Sequence, residues 1–480
     1  MSSTFYWHDY ETFGASPARD RPCQFAGLRT DLDLNPIGEP LTVYARPTPD
    51  YVPHPMACLV TGITPQEALA KGLSERDFIA RIHAELAAPG TCGVGYNSIR
   101  FDDEVTRYTL YRNFFDPYAR EYRDGNSRWD LIDVVRACFA LRPEGVVWPS
   151  AEDGTTSMKL EALTAANGIE HSGAHDALVD VRATLELARL IKTQQPKLFE
   201  YALTLRDKNT VLGMFAIGEW RPVLHVSGMF GAKNANLGLV VPVMQHPSNR
   251  NEVIAIDLSQ DPQGLLQYSP DELRARLYTR SDELEGERPA LKSIHINKSP
   301  FVAPAKMLTE EVAMRAGMDL QRMRENLRLL QNVVKHNAGG LIAQLQAVYG
   351  QTREYGKTDP EWDLYGGFFS DSDKRLMDRI RAASPRELAS QSFPFEDARL
   401  PELLFRYRAR NFPESLSVDE KAQWQEYCYE RISREDLGLM HMERLFEEIA
   451  VIREISSDDP RAMSLMDSLE SYTDTLLAQE

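Results

Sequence analysis

The sequence predicts an α/β domain at the N-terminus, a smaller β-rich domain after it and an all-helical domain at the C-terminus. Three observations carry that reading. Through about residue 190, strand-like and helix-like segments alternate. Beyond Pro222, short β-rich runs are divided by Gly, Asn and Pro clusters. From about Thr352 onward the chain is almost wholly helix-forming sequence punctuated by prolines.

The first domain is expected over residues 1–192. Segments 5–10, 24–29, 41–45 and 92–96 are rich in aromatic and β-branched residues and are predicted as strands, the early ones antiparallel. Segments 74–86, 102–114, 131–141, 158–166 and 177–191 repeat apolar residues at helical spacing. A basic joint containing Gln and Pro, 192–197, is expected to end the domain. The second domain, 196–350, contains β-rich runs at 222–227, 237–243 and 253–258, as in a small barrel or sandwich. Within it, Ser269-Pro270-Asp271-Glu272 supplies a capping residue, an N1 proline and first-turn acids, and so predicts a helix start. The third domain, 352–480, includes segments 417–434 and 438–455, whose apolar residues recur every three or four positions.

Composition agrees with a folded, multidomain chain. At 480 residues it is too long for one hydrophobic core. It is 43% hydrophobic and 26% charged, with no apolar run long enough to span a bilayer. The N-terminus lacks a basic region followed by an apolar one, so secretion is not expected. Cys23, Cys58, Cys92, Cys138 and Cys428 are odd in number, widely spaced and without a CxxC pair, which suggests reduced thiols and a cytoplasmic address. The net charge of −17 argues against a protein that coats nucleic acid indiscriminately, although a local basic groove remains compatible with it.

The chemistry gathers at three places. Asp9 and Glu11 stand two apart at the end of an apolar strand, so their side chains share one face. Asp102 opens a helix after a Gly-flanked strand, where α/β sheets place ligands, with Asp103 competing for the role of helix cap. Asp176 is a natural N-cap for the helix beginning at Ala177, which puts His175 just outside that helix and Asp180 in its first turns. Four acids converging would repel one another and retain protons unless a cation were present. Oxygen ligands without cysteine favour Mg2+ or Mn2+ over zinc. Two such ions suit in-line phosphoryl displacement, and an imidazole suits removal of a proton from the attacking water, which makes His175 the candidate general base.

These motifs resemble the three exonuclease motifs of the DEDDh 3′-5′ exonucleases, a ribonuclease H-like α/β fold. More narrowly, the chain resembles the bacterial exodeoxyribonuclease I family, single-strand-specific exonucleases. Blocks across nearly the whole chain carry that similarity: HDYETFG from His8, RPCQFAGLRTD from Arg21, TGITPQEA from Thr61, GYNSIRFDDEVTR from Gly95, HVSGMFGA from His225, HINKSP from His295, YGGFFSDSD from Tyr365 and YRARNFP from Tyr407. The resemblance implies an exonuclease domain, a Src-homology-3-like barrel and a helical domain around a groove for single-stranded DNA. It implies Asp9, Glu11, Asp102 and Asp180 as metal ligands, with Glu11 also touching substrate, and His175 as base.

Cations and aromatics alternate at Arg107, Arg112, Tyr118, Tyr122, Arg136 and Arg142, and Tyr201 and Lys208 extend the pattern. Such a mixture fits a single strand, whose bases stack and whose phosphates need cations. Family similarity favours Arg107, Tyr118, Tyr122, Arg136 and Arg142 as contacts. One departure is Lys159, which stands where the family carries a substrate-contacting arginine; lysine neutralises phosphate but lacks the planar bidentate fork. The resemblance also implies a monomer and a partner, the acidic C-terminal tail of single-stranded-DNA-binding protein, with Arg142, Arg322, Arg324 and Arg328 as candidate contacts. Two other readings stay open on the motifs alone: a 3′-5′ exoribonuclease, or a single-strand-binding module that no longer cuts.

Overall fold

In the computed structural model, residues 3–173, 175–280, 282–351 and 358–477 are described. The expected start of the helical domain at Thr352 lies outside them, as do the chain ends. The chain forms two compact units: Met1–Ser127, His171–Arg182 and Gly356–Glu480 make the first, and Arg128–Glu170 with Ala183–Tyr355 the second.

The first unit contains strands β1 (Thr4–Thr12), β2 (Pro22–Thr30), β3 (Leu41–Tyr44) and β4 (Thr91–Gly95). β1 begins Thr-Phe-Tyr-Trp, a run that favours extended backbone, and Phe5, Tyr6 and Trp7 are fully or nearly fully buried. β1 pairs antiparallel with β2, and β2 with β3, as the sequence predicts. β4 pairs with β1 in parallel, but only from Thr4 opposite Thr91 to Trp7 opposite Val94. Asp9 and Glu11 therefore lie beyond the last parallel pair, at the carboxyl end of that register, where α/β sheets bind ligands.

Helix Asp102–Arg112 follows β4 through a tight turn. Asn97 takes a left-handed φ of 61° there, and a Cβ on Gly95 would come within 2.6 Å of Ser98 Cβ, so only glycine fits at the strand's end. Helix Ala177–Gln194 starts where the sequence predicts but runs three residues past 191. The next helix, Pro196–Thr204, begins on a proline at N1, so the expected joint at 192–197 is mostly helix. Proline is tolerated at N1, and Lys192 to Gln194 have no reason to break a helix.

The C-terminal helices of this unit include Leu400–Asn411, Val418–Ser433, Met442–Ile455 and Pro460–Leu477. Ser417 caps its helix with Glu420 in a capping box. The segment expected from 438 starts late, because Gly438 is left-handed (φ 63°) and closes a 3-10 turn. Two shared cores join these helices to the N-terminal part. In one, Phe13, Cys58 and Ile63 pack with Ile432, Leu445, Ile449 and Met466. In the other, Tyr108, Tyr111 and Phe114 pack with Leu364, Leu403 and Tyr407.

The chain passes into the second unit along strand β5 (Ser127–Asp130). That unit contains β6 (Val223–Val226), β7 (Leu237–Gln245), β8 (Glu252–Asp257), β9 (Leu291–His295) and β10 (Phe301–Pro304), in the antiparallel order β10-β6-β7-β8-β9. The capping box at Ser269 is present and opens helix Pro270–Tyr278. Among the elements that the sequence did not signal are β9, β10 and helix Leu320–Tyr349. β9 is short and interrupted by Lys and Ser, and β10 ends in proline. Helix Leu320–Tyr349 is broken in its pattern at Asn337, just before two glycines. Among the described residues no helix is long and apolar enough to cross a membrane.

Candidate active site

Strand alternation puts Tyr10 into the core and Asp9 and Glu11 on the opposite face. Tyr10 packs edge-on against Phe25, with centroids 4.8 Å apart, and its hydroxyl accepts a hydrogen bond from Thr106 Oγ1 at 3.0 Å. Its backbone N–H donates to Asp102 Oδ1 at 3.0 Å. One turn of the Asp102 helix is thus fastened to β1, and the Asp102 carboxylate is carried to the residue between Asp9 and Glu11.

Asp176 caps the third element, accepting from the N–H groups of Leu178 (3.0 Å) and Val179 (3.3 Å) at Oδ1. His175 precedes it with a left-handed φ of 70°, and its N–H donates to Asp180 Oδ2 at 3.3 Å. His175, Asp180 and Glu11 each offer a ligand atom within 4.8 Å of the others. Gln24 joins this helix to the sheet. It stands opposite Glu11 in the β1–β2 register, is buried, accepts from Ala177 N–H at 3.0 Å, and donates to Tyr44 OH at 2.8 Å and to Asp176 Oδ2 at 3.5 Å. His171 makes a close hydrogen bond from Nε2 to Asp180 Oδ1. Neither Gln24 nor His171 was singled out by the sequence. Gln24 becomes visible only from the strand register, whereas His171 left a signal as a further histidine four residues before His175.

Electrostatics shows the acids converging. Burial pushes the Asp9 carboxyl well above the usual range, and the nearby carboxylates of Asp102, Glu11, Asp180 and Asp176 push it further. Burial raises Glu11 to about 9, helped by Asp180, Asp102 and Asp176. Asp180 is also raised by burial, against the opposing pull of His171 and His175. A buried cluster whose main neighbours are other carboxylates suits a divalent cation, and a set dominated by carboxylate oxygens, with one imidazole beside it, matches hard metal chemistry.

Beside the acids lies a cavity of about 670 Å³, lined among others by Glu11, Thr12, Met56, Val60, Phe101 and Arg444. Of the expected DNA contacts in the first unit, Arg107 is 7% exposed and paired with Glu104 and Glu121, both at 2.7 Å. The ring of Tyr118 lies 5.4 Å from its guanidinium, and Tyr122 is 62% exposed. Arg112 is fully enclosed, bound to Glu75 at 3.0 Å, and serves the core rather than a groove. In the second unit, Arg136 pairs with Asp133 (2.8 Å), and Arg142 donates to Leu141 O (2.6 Å). Lys159 is exposed at the start of helix Leu160–Ala166. Tyr201 donates to Val302 O at 2.7 Å, and Lys208 is exposed, 3.5 Å from Asn251 Oδ1.

A mixed sheet with clustered acids past its parallel register is the frame of a hydrolytic exonuclease, and the family model described as Exonuclease matches residues 6–188. Models for the Exonuclease I SH3-like domain and the Exonuclease I C-terminal domain match residues 206–351 and 358–476. The chain belongs to the exodeoxyribonuclease I family. It is 45% identical over 480 residues to exodeoxyribonuclease I of Escherichia coli K12, covering 99% of each. The crystal structure of E. coli exonuclease I with a dA16 oligonucleotide superposes with a TM-score of 0.94 at 45% identity, covering 99% of this chain and 100% of that one. The zinc-ion-bound form of the E. coli enzyme with single-stranded DNA gives 0.93 at 44% identity, with the same coverage.

Proposed function

We propose that this chain removes nucleotides from the 3′ end of single-stranded DNA, releasing nucleoside 5′-monophosphates, in DNA repair and recombination in the cytoplasm. The observation that carries this is the meeting of Glu11, His175 and Asp180 within 4.8 Å, beside Asp9 and the Asp102 helix. Asp9, Glu11, Asp102 and Asp180 are the residues to hold two Mg2+ ions, with Mn2+ as a substitute. When bound, the metal acidifies water and offsets charge on the phosphoryl group.

The residues of the chain do the rest. His175, which offers a ring nitrogen within 4.8 Å of carboxylate oxygens of both Glu11 and Asp180, takes the proton of the attacking water. The new bond forms from that water oxygen to phosphorus. The bond from phosphorus to the 3′ oxygen of the penultimate nucleotide breaks, that oxygen takes a proton from solvent water to end as a hydroxyl, and His175 returns the proton it took to solvent. The terminal nucleotide sits in the cavity beside Glu11, with its base against Met56, Val60 and Phe101. Arg107, Tyr118, Tyr122, Arg136, Arg142, Lys159, Tyr201 and Lys208 are the contacts proposed for the upstream strand.

The division into domains 1–192, 196–350 and 352–480 belongs to the same proposal and is supported by the three family-model spans. So do a monomeric state and docking of the acidic tail of single-stranded-DNA-binding protein. Arg322, Arg324 and Arg328 lie exposed on helix Leu320–Tyr349 and, with Arg142, are the candidates for that tail. A fluorescent tail peptide should bind less tightly to variants neutralised at these positions.

The activity is tested with oligonucleotides labelled at the 5′ end: single-stranded DNA, duplex DNA and RNA, each with Mg2+ or EDTA. A ladder shortening only on single-stranded DNA with metal is expected. Immediate release of the label as a mononucleotide would reverse the polarity, and equal digestion of RNA would favour the exoribonuclease reading.

A further inference from the structure

We propose that His171 is a positioning residue that holds the Asp180 carboxylate, and through it His175, in the geometry that receives the metal. This rests on the proposed metal-dependent reading of the site. Asp180 accepts from two donors of one short segment: the imidazole of His171 at Oδ1 and the backbone N–H of His175 at Oδ2. A single carboxylate therefore ties both His171 and His175 to the first turn of helix Ala177–Gln194.

The segment needs that tie. Gly173 and His175 are both left-handed, with φ of 95° and 70°, and His175, which is not glycine, has to be held in that conformation by its surroundings; Asp176 N–H also donates to Gly173 O at 3.2 Å. The side chain of His171 is 5% exposed, against 15% for Asp180, so the contact is enclosed rather than a solvated surface pair. A carboxylate fixed at both oxygens has one orientation toward Glu11 and His175. One that loses its Oδ1 donor can rotate, and it takes the His175 backbone with it. Groups that orient a metal-ligating side chain typically change metal affinity or activity by about 10- to 100-fold when removed.

The test uses the full-length protein without DNA, titrated with Mn2+ and followed by the electron paramagnetic resonance signal of the free ion. His171→Ala removes the imidazole, His171→Phe keeps ring volume without a donor, and His171→Gln restores an N–H near the position of Nε2. Mn2+ affinity should fall about 10- to 100-fold in the Ala and Phe variants and return to within about threefold of the parent in the Gln variant. Binding of single-stranded DNA in EDTA should stay unchanged in all three. Wild-type Mn2+ affinity in His171→Ala would overturn the assignment, as would equal loss in the Gln variant or a parallel loss of DNA affinity. Asp180→Asn separates the two readings. If it also leaves Mn2+ binding intact, the metal site itself is wrong; if it abolishes binding while His171→Ala does not, only the role of His171 falls.

Discussion

His175 reaches the acids through an uncommon backbone. A φ of 70° is the left-handed region, which non-glycine residues seldom occupy and which tends to persist where surrounding contacts enforce it. Here those contacts are the N–H donated to Asp180 and the Asp176 cap that follows at once. Because the imidazole is held by its main chain, its side chain can be removed without dismantling the carboxylates. His175→Ala should therefore lower turnover by roughly 10²- to 10⁴-fold, the usual contribution of a general base, with Mn2+ and single-stranded-DNA affinity retained. Single-turnover hydrolysis set beside binding in EDTA checks this, and a matching loss of DNA affinity would make the histidine structural. The core of the site was legible in the sequence at this scale because each part obeys a local rule. Period-two alternation pairs Asp9 with Glu11, and a capping aspartate fixes where His175 and Asp180 fall.

Elements bring those local pieces together, and this is where sequence patterns lose sight of the site. Gln24 lies opposite Glu11 on β2 and binds the first turn of helix Ala177–Gln194 through Ala177 N–H and Asp176, so one amide sets the distance between strand and helix. Its importance depends on a strand register and on a helix some 150 positions away, neither of which composition reveals. The same limit hid β9, β10 and helix Leu320–Tyr349, whose local signals are weak and whose stability comes from neighbours. It also placed Arg112 in the cation–aromatic pattern, although the structure makes it a buried partner of Glu75. Gln24→Ala should leave the Ala177 N–H without its acceptor and let the helix start drift from Glu11. The expected result is a loss of about 1 to 3 kcal/mol in unfolding free energy, together with a fall in turnover at saturating DNA. Urea unfolding and steady-state kinetics measure the two. Turnover unchanged despite the stability loss would show that the site does not depend on this tie.

At the scale of the whole first unit, the N-terminal α/β part and the C-terminal helices are joined by buried charge as well as by shared apolar cores. Arg21 pairs with Glu361 at 2.9 Å, Arg410 pairs with Asp50 at 2.7 Å and also with Glu361, and Arg406 pairs with Asp359 at 2.7 Å. The Glu361 and Asp50 side chains are 1% and 0% exposed. Burial alone would raise both carboxyls, but the guanidinium of Arg410, followed by that of Arg21, wins and holds them below their ordinary range. Removing one partner from such a network leaves buried arginines uncompensated, which costs about 3 to 5 kcal/mol. Glu361→Gln should therefore destabilise the first unit by that amount at pH 7. Because the folded pKa values are depressed, the network's contribution is complete above the unfolded values near 4 and is lost as pH falls through the folded ones. The raised carboxyls of the site are common to both proteins and cancel in the difference, so the gap between the parent and Glu361→Gln should be level from about pH 8 to 5 and narrow below about pH 4.5, since acid neutralises in the parent what the substitution already removed. Urea unfolding between pH 3 and 8 decides it: a gap that stays constant down to pH 3 would mean that Glu361 acts through packing and hydrogen bonds, and that its charge is not what joins the two ends of the chain.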